Sequence, residues 1–272
     1  MDLAIRRATP RDKRAVNEIS RHIWRGQDYL PRVFDDWVKD RRGGVWLGLL
    51  DGRVVGVGKL TLLGDGEAWL HALRVHPRFR GRGLARALIE HRLARAKRLG
   101  ARIARFDTGD ENAAMHHLAR RLGFRRVGRY VWWTRAARAG GPPRRATPRD
   151  EAAIWRLVRE NSDGIHHSDY ARRRLTRADV RTSISRGRCL VAEDPPRAAA
   201  LVTVDEDGLR VQCFAGHGRA LRELAAGLAA EARRRGERRV WSATSARHWR
   251  TLAAAGYRRT WSGSLLLFEK RL

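Results

Sequence analysis

The sequence predicts a mixed α/β fold, a sheet of mixed direction carrying helices, built twice in tandem. Three observations carry that prediction. Strand-like and helix-like patterns alternate along the chain instead of falling into separate blocks. The stretch from Glu67 to Gly100 reads as a strand, a tight glycine-bearing turn and a helix in immediate succession. The words Arg6-Arg7-Ala8-Thr9-Pro10-Arg11-Asp12 return as Arg144-Arg145-Ala146-Thr147-Pro148-Arg149-Asp150, about half the chain later.

Taken in order, Arg6 to Asp12 gives a short strand, a turn and a helix start, and Lys13 to Trp24 gives a helix. Arg25 to Arg42 is a loop and second helix carrying Gln27-Asp28-Tyr29-Leu30-Pro31. Val45–Leu50 and Val54–Leu62 are strands around the Asp51-Gly52 turn, a hairpin signal. Glu67 to Val75 is the next strand, and simple alternation places Glu67, Trp69, His71, Leu73 and Val75 on one face. Pro77 disfavours helix just before it, while Gly81 and Gly83 allow unusual backbone angles, so His76 to Gly83 is a turn. Leu84 to Leu99 carries a helical stripe of Ala85, Leu88, Ile89, Leu93 and Ala96, closed by Gly100. A strand (Arg102 to Thr108), a helix (Asn112 to Leu122) and a strand (Arg125 to Thr134) follow.

The second half repeats the outline. A helix starts at Glu151, a helical or irregular stretch runs to Arg186, and strands are expected at Cys189–Glu193, Ala198–Asp205 and Leu209–Phe214. A helix over Ala220 to Arg235 and a strand over Arg239–Ala243 complete it. Leu122-Gly123-Phe124-Arg125-Arg126 is echoed by Ala255-Gly256-Tyr257-Arg258-Arg259, in the same order and at nearly the same offset as the first pair of words. Two such echoes argue for an internal duplication. Ala139-Gly140-Gly141-Pro142-Pro143 reads as a linker, which gives domains at 1–139 and 144–272 with residues 140–143 between them.

Composition bounds the function. The 272 residues include 58 basic and 29 acidic ones, a net charge of +29, and 53 of the basic residues are arginine. Such a field attracts nucleic acid, acidic proteins or anionic cofactors. The arginines are spread over helices and loops alike with no basic tail, so compositional bias is favoured over a dedicated nucleic-acid interface. Cys189 and Cys213 are too few for a disulfide framework and lack metal-ligand spacing. No apolar run approaches the ~20 residues of a membrane span. The start, Met1-Asp2-Leu3-Ala4-Ile5-Arg6, lacks the pattern of a secretory signal, and a cytoplasmic protein is expected.

The strand–turn–helix at Glu67–Gly100 aims several backbone N–H groups at one point, with the positive end of a helix dipole behind them. That device binds phosphate or pyrophosphate, and Arg80 and Arg82 add charge around it. The NTPase loop, Gly-x-x-x-x-Gly-Lys-Ser/Thr, is absent, and the dinucleotide fingerprint fails because Arg86 stands where it needs Gly or Ala.

Arg80-Gly81-Arg82-Gly83-Leu84-Ala85 resembles the Arg/Gln-x-x-Gly-x-Gly/Ala turn of the GCN5-related N-acetyltransferase (GNAT) family, which cradles the pyrophosphate of acetyl-CoA. The preceding Leu73-Arg74-Val75-His76-Pro77 and the downstream Asn112 to Gly123-Phe124 are similar to that family as well, in its order and spacing. The resemblance implies an acetyl-CoA-dependent N-acetyltransferase whose acceptor is a primary amine of a small molecule (an amino acid or a polyamine-like compound) or of a protein. It also implies tandem GNAT-like domains, the second degenerate: after Phe214 comes Ala215-Gly216-His217-Gly218, with no phosphate turn, so that domain is not expected to bind CoA. The alternative is a non-catalytic module, sensing CoA or binding nucleic acid through its basic surface.

Site residues follow from the resemblance. The backbone of Leu73, Arg74 and Val75 would pair with the pantetheine arm, with Val75 N–H polarising the thioester carbonyl. The N–H groups of Arg80, Gly81, Arg82, Gly83, Leu84 and Ala85 would take the pyrophosphate, and Asn112 would touch the CoA arm or order a water. His71 and Glu67 are candidate bases on the central strand. The family's acid is often a Tyr on the helix before Gly-Phe; here that position is Ala119, so His116 or water would serve, His117 facing another way. The first two helices would wall the acceptor pocket, offering Trp24, Gln27, Asp28, Tyr29 and Trp37, an aromatic wall with one carboxylate suited to a cationic amine. Asp28-Tyr29-Leu30-Pro31 resembles the animal histidine N-acetyltransferase branch over four residues. No metal is expected.

Overall fold

The computed structural model, which describes residues 2–168 and 171–272, divides the chain into two units, neither of them a continuous stretch of sequence. Unit 1 holds the residues up to Asp107, Ala113–Arg126 and Phe268–Leu272; unit 2 holds Thr108–Asn112 and Val127–Leu267.

The first elements are β1 (Leu3–Arg7), α1 (Lys13–Ser20), α2 (Leu30–Trp37), β2 (Gly44–Leu50), β3 (Arg53–Gly64) and β4 (Glu67–Val75). Then come α3 (Leu84–Arg98), β5 (Ile103–Gly109), α4 (Ala113–Arg121) and β6 (Arg125–Ala136). The chain continues with β7 (Arg144–Arg145), α5 (Glu151–Asn161), β8 (Ile165–Ser168), β9 (Ala171–Arg174) and α6 (Arg177–Ser185). It ends with β10 (Cys189–Ala192), β11 (Ala198–Asp205), β12 (Gly208–Gly216), α7 (Gly218–Arg234), β13 (Arg239–Ser245), α8 (Trp249–Ala254), β14 (Arg258–Arg259) and β15 (Leu265–Arg271).

In unit 1, β1 to β4 pair antiparallel in chain order, and β4 and β5 run parallel. Helices α1 and α2 cover one face, where Val16, Ile19, Leu30 and Phe34 meet Val45, Leu47 and Val57. Helix α3 covers the other face and lies close because two strand positions beneath it are glycine. A Cβ on Gly48 would stand 3.1 Å from Leu84 Cδ2, and one on Gly56 3.0 Å from Leu88 Cδ1. The C-terminal residues close the unit: Phe268 stacks on Phe106 at 5.2 Å and Glu269 accepts from Arg105 Nε at 2.7 Å.

Unit 2 orders its strands β6-β13-β12-β11-β10-β7, with α5 and α6 against one face and α7 against the other. Its parallel step, Leu209–Val211 of β12 with Val240–Ser242 of β13, matches the β4–β5 step of unit 1. Both cysteines are buried in it, and burial pushes the Cys189 thiol up to about 12, so neither is a nucleophile at neutral pH.

The expected boundary at 139/144 therefore moves at both ends. Residues 127–136 of β6 belong to unit 2 because Tyr130 to Ala136 pair antiparallel with Ser245 to Arg239. Residues 268–272 return to unit 1 because its buried Arg105 and Phe106 take Glu269 and Phe268 as partners. The stretch before Arg186, expected as helical or irregular, contains the β8–β9 hairpin and α6. The middle cross-strand pairs of β8 and β9 are His166 with Arg173 and His167 with Arg172, which give no apolar alternation to read.

The repeated words fold alike. Thr9 N–H and Oγ1 donate to Asp12 Oδ2 at 2.8 and 2.9 Å while Arg6 Nη1 donates to the same oxygen at 2.8 Å. Thr147 N–H and Oγ1 bond Asp150 Oδ2 at 2.7 and 3.0 Å, and Arg144 Nη1 joins at 2.8 Å. A third copy joins Arg173, Thr176 and Asp179 ahead of α6. In each, the carboxylate satisfies donors that a helix start leaves open, and an arginine three residues before the threonine locks it.

Candidate functional site

The site grows from an irregularity in β4. Lys59 of β3 pairs with His71 and Val57 with Arg74, so Gly58 alone faces Ala72 and Leu73. This is a β-bulge, and Ala72 carries it in the left-handed region at φ +53°, a conformation that costs a non-glycine residue about 1 kcal/mol. The extra residue reverses the alternation. His71 shares its face with Arg74, on the side of α1 and α2, while Val75 turns to the α3 side and packs with Leu50, Val55 and Leu84. The expected common face for Glu67, Trp69, His71, Leu73 and Val75 thus holds only as far as His71.

Beyond Trp69 the two parallel strands part, since pairing of β4 with β5 is confined to Glu67–Trp69 against Ile103–Arg105. His76 N–H donates to Val55 O of β3 at 2.9 Å, so Val75, one residue earlier, directs its own N–H and C=O away from β3 into this opening. Arg80 Nε reaches back to Val75 O at 3.3 Å and ties the turn to the strand end. An extended arm with alternating amide groups could pair with this free edge.

The turn follows directly. Gly81 and Gly83 sit at φ +77° and +79° with open space where a Cβ would stand, and α3 starts at Leu84. Its first-turn N–H groups, among them those of Leu84 and Ala85, have no intrahelical acceptor and point out of the helix start. Arg80, Arg82 and both glycines are exposed, and the Leu84 side chain is buried beneath them. Phe79 lies between two guanidinium groups, Arg53 at 5.4 Å and Arg82 at 5.5 Å from its ring. An anion at this helix start would meet backbone donors and a cluster of arginines.

On the other side of β4, Trp24, Asp28 and Tyr29, expected to wall an acceptor pocket, converge on the Arg74 side chain, which points to their face. Its Nε and Nη2 donate to the two oxygens of Asp28 at 3.1 Å each. Its guanidinium lies 4.6 Å from the Trp24 ring and 5.5 Å from the Tyr29 ring. Tyr29 meets Trp37 edge-on at 5.9 Å, and Trp37 lies 4.4 Å from the His71 ring. Trp24, Tyr29 and Trp37 thus form a ladder from solvent to His71. The expectation that Asp28 would hold a cationic amine is corrected: its side chain is wholly buried and neutralised by Arg74.

His71 Nε2 is 2.9 Å from Thr61 Oγ1. Burial first, then the nearby cations Lys59, Arg92 and Arg74, hold its pKa well below the ordinary histidine value, so the imidazole is neutral at pH 7. Glu67 is engaged elsewhere: its carboxylate is ion-paired with buried Arg105, which anchors the start of β4. His116, on α4, packs its ring 5.7 Å from Phe268. Ala119, standing where the resemblance would put a Tyr, is buried in the core. Asn112 falls in the Thr108–Asn112 segment of unit 2 and donates to Thr108 Oγ1 at 3.0 Å. Glu18, His22 and His76 bring ligand atoms within 4.8 Å of one another, and His76 Nδ1 accepts from Arg78 N–H at 3.3 Å.

Two residues near His71 escaped the sequence reading. Lys59 is buried and ion-paired with Asp40, and desolvation lowers its pKa. Arg92 is fully buried on α3; desolvation brings its pKa down to about 9, and its Nη1 donates to Lys59 O at 3.0 Å and His71 O at 3.2 Å. The signal was there: Arg92 lies four residues from both Leu88 and Ala96, on the buried stripe, opposite Gly58.

Residues 13–124 match the sequence model of the acetyltransferase (GNAT) family. A histidine N-acetyltransferase from Oreochromis niloticus is 35% identical over 83 residues, 30% of this chain and 25% of the relative. One from Xenopus tropicalis is 37% identical over 82 residues, again 30% and 25%. The chain spans about a quarter of the length of these relatives. Among solved structures, a GCN5-related N-acetyltransferase from Sphaerobacter thermophilus superposes with a TM-score of 0.69 at 17% identity, covering 99% of this chain and 95% of the other. A second, from Thermoplasma acidophilum, gives 0.65 at 18%, covering 99% and 100%. At such identities the likeness speaks for the fold, and the mixed α/β fold of those structures runs through the whole chain.

Proposed function

We propose that this chain is an acetyl-CoA-dependent N-acetyltransferase with its active site in unit 1 and a small primary amine as acceptor. One observation carries the reading: β4 parts from β5, offers Val75 N–H at its free edge, and runs straight into the Gly81–Gly83 turn and the start of α3. The pyrophosphate of CoA would take the helix start, and the pantetheine arm would pair along Leu73–Val75. In that pose the thioester would lie where Val75 N–H can stabilise the developing oxyanion.

In the transfer, the amine nitrogen attacks the thioester carbonyl. A C–N bond forms, the C–S bond breaks, and CoA leaves as thiolate. The ammonium proton is lost to water or to neutral His71, which stands at the inner end of the aromatic ladder. No side chain is assigned to protonate the thiolate, since Ala119 removes the phenol that the resemblance would have supplied. The names of the relatives make L-histidine the first acceptor to try.

We read unit 2 as a second, degenerate copy that does not bind CoA. The matching Arg–Thr–Asp caps and the matching parallel step support the duplication. Only His217 separates β12 from α7, too short a link to build the cradle. The test is calorimetric titration of acetyl-CoA into the full chain, then release of free thiol with a panel of amines. One binding site and amine-dependent thiol release are expected. Binding at two sites would overturn the reading of unit 2, and no binding would overturn the activity.

A further inference from the structure

We infer that Arg74 reads a carboxylate on the acceptor, so that the acceptors of this site are α-amino acids and not simple or cationic amines; this rests on the amine-acetyltransferase reading above. The guanidinium has five N–H groups. Two go to Asp28 and one, on Nη1, to Leu73 O at 3.2 Å, which leaves two for a ligand. Asp28 and the rings of Trp24 and Tyr29 fix the plane of the group, so the remaining donors are held in place for a second, planar acceptor.

Charge points the same way. Around His71 stand Lys59, its cross-strand partner, Arg92, bonded to its carbonyl, and Arg74, brought to its face by the bulge. Against these three cations stand Asp40 on Lys59 and Asp28 on Arg74. One positive charge is left over among these groups, and both carboxylates are already paired. A site of this sign disfavours a diamine and favours an acceptor that carries its own anion. Trp24 covers the outer face of the guanidinium while remaining 59% exposed. It can therefore close over a bound ligand or swing away from it.

The test titrates the full chain, preloaded with CoA, with free L-amino acids, their methyl esters and their decarboxylated amines, and runs the same series with acetyl-CoA for turnover. Free amino acids should bind and react on the order of 100-fold better than their esters or decarboxylated amines. Arg74→Met, made together with Asp28→Asn so that no buried carboxylate is orphaned, should bring that ratio to within about threefold. Equal binding of acids, esters and decarboxylated amines to the unaltered protein would overturn the inference, with no variant needed. Discriminating binding without any turnover would uphold Arg74 and count against the activity instead.

Discussion

Arg92 on α3 donates from one nitrogen to the main-chain oxygens of both Lys59 and His71, at 3.0 and 3.2 Å, beside the bulge that turns Arg74 to the face of His71. Among the described residues no carboxylate pairs with this buried guanidinium. It is held by backbone alone, including Leu88 O at 3.0 Å from Nε. Arg92→Met would take a donor from the carbonyls of Lys59 and His71, at a cost of about 3 kcal/mol. We expect a lower urea midpoint and acetyl-CoA binding weakened about tenfold or more. Arg92→Lys keeps the charge and loses the fork, and should fall short of wild type in both measurements. Unchanged acetyl-CoA affinity in a folded Arg92→Met protein would separate this side chain from the cleft.

Gly83 makes the donor turn testable. Its φ of +79° lies in the left-handed region, and a Cβ there would meet nothing within 4 Å. Asp tolerates that region comparatively well, so Gly83→Asp should fold at a cost near 1 kcal/mol while setting a carboxylate at the proposed pyrophosphate position. Acetyl-CoA affinity should drop on the order of 100-fold, against less than about tenfold for Gly83→Ala. Equal affinities for the two variants would sink the assignment of the turn.

For His71 the pH dependence carries the sign. Burial and three cations depress its pKa, so it is already neutral well below pH 6.5, and an acid limb that belongs to it must lie lower still. His71→Ala should cut kcat about 100-fold with acetyl-CoA affinity intact, and should abolish that low limb. A limb at or above pH 6.5 that survives the substitution would belong to the amine itself, and His71 would then be a packing partner of Trp37.

Much of this was legible because it is local. Thr9-Pro10-Arg11-Asp12 and its copy announce helix starts through bonds within a few residues, and Gly81, Gly83 and Leu84 announce their turn in the same way. The face of Arg74 was not legible. Ala72 carries the bulge without the Gly or Asn that would mark it, and one extra residue inverts every side chain beyond it. Asp28 looked like a free carboxylate because its partner lies on another element. Lys59 and Arg92 went unassigned: Arg92 lies on the buried stripe of α3, but what a buried cation does is read only once its acceptors are known. The strand Leu265–Arg271 can be suspected from Leu265-Leu266-Leu267-Phe268, but no spacing shows that Glu269 belongs to Arg105.

The capping carboxylates predict how the fold responds to acid. Asp12 is held at about 2, first by Arg6 and then by Thr9; for Asp179, burial that would raise it is outweighed by Arg173 and Thr176, which hold it at about 2. Asp150 is lowered in the same manner, by Arg144. A carboxylate whose pKa is depressed on folding stabilises the protein fully above its unfolded value, near ~3.9, and loses that contribution as pH falls through the folded value. For Asp12 the whole effect is at most about 2.6 kcal/mol, and less after screening by the water around Arg6. Urea midpoints should therefore fall steeply between about pH 4 and pH 2, and Asp12→Asn should be destabilised at pH 6 and flatter in that window. A wild-type midpoint that stays level from pH 4 to pH 2 would show that these caps hold ordinary carboxylates.

The chain's last residues supply the sharpest test of its organisation. Buried Arg105 is shared by Glu67 and Glu269, and Glu269 comes from the Phe268–Leu272 segment that belongs to unit 1. Glu269→Gln would leave one carboxylate on a guanidinium that water barely reaches. Removing one partner of a buried ion pair typically costs about 3–5 kcal/mol, though Glu67 should retain part of the interaction. A fragment ending near Gly141 loses Glu269, the Phe268 ring on Phe106 and the bond from Lys270 to Leu122 O together. We expect that fragment to be unfolded or loosely packed by near-UV circular dichroism and amide exchange, and to recover when a peptide covering residues 265–272 is added or fused. A cooperative thermal transition in the bare fragment, at the temperature of the full chain, would return the boundary to the linker.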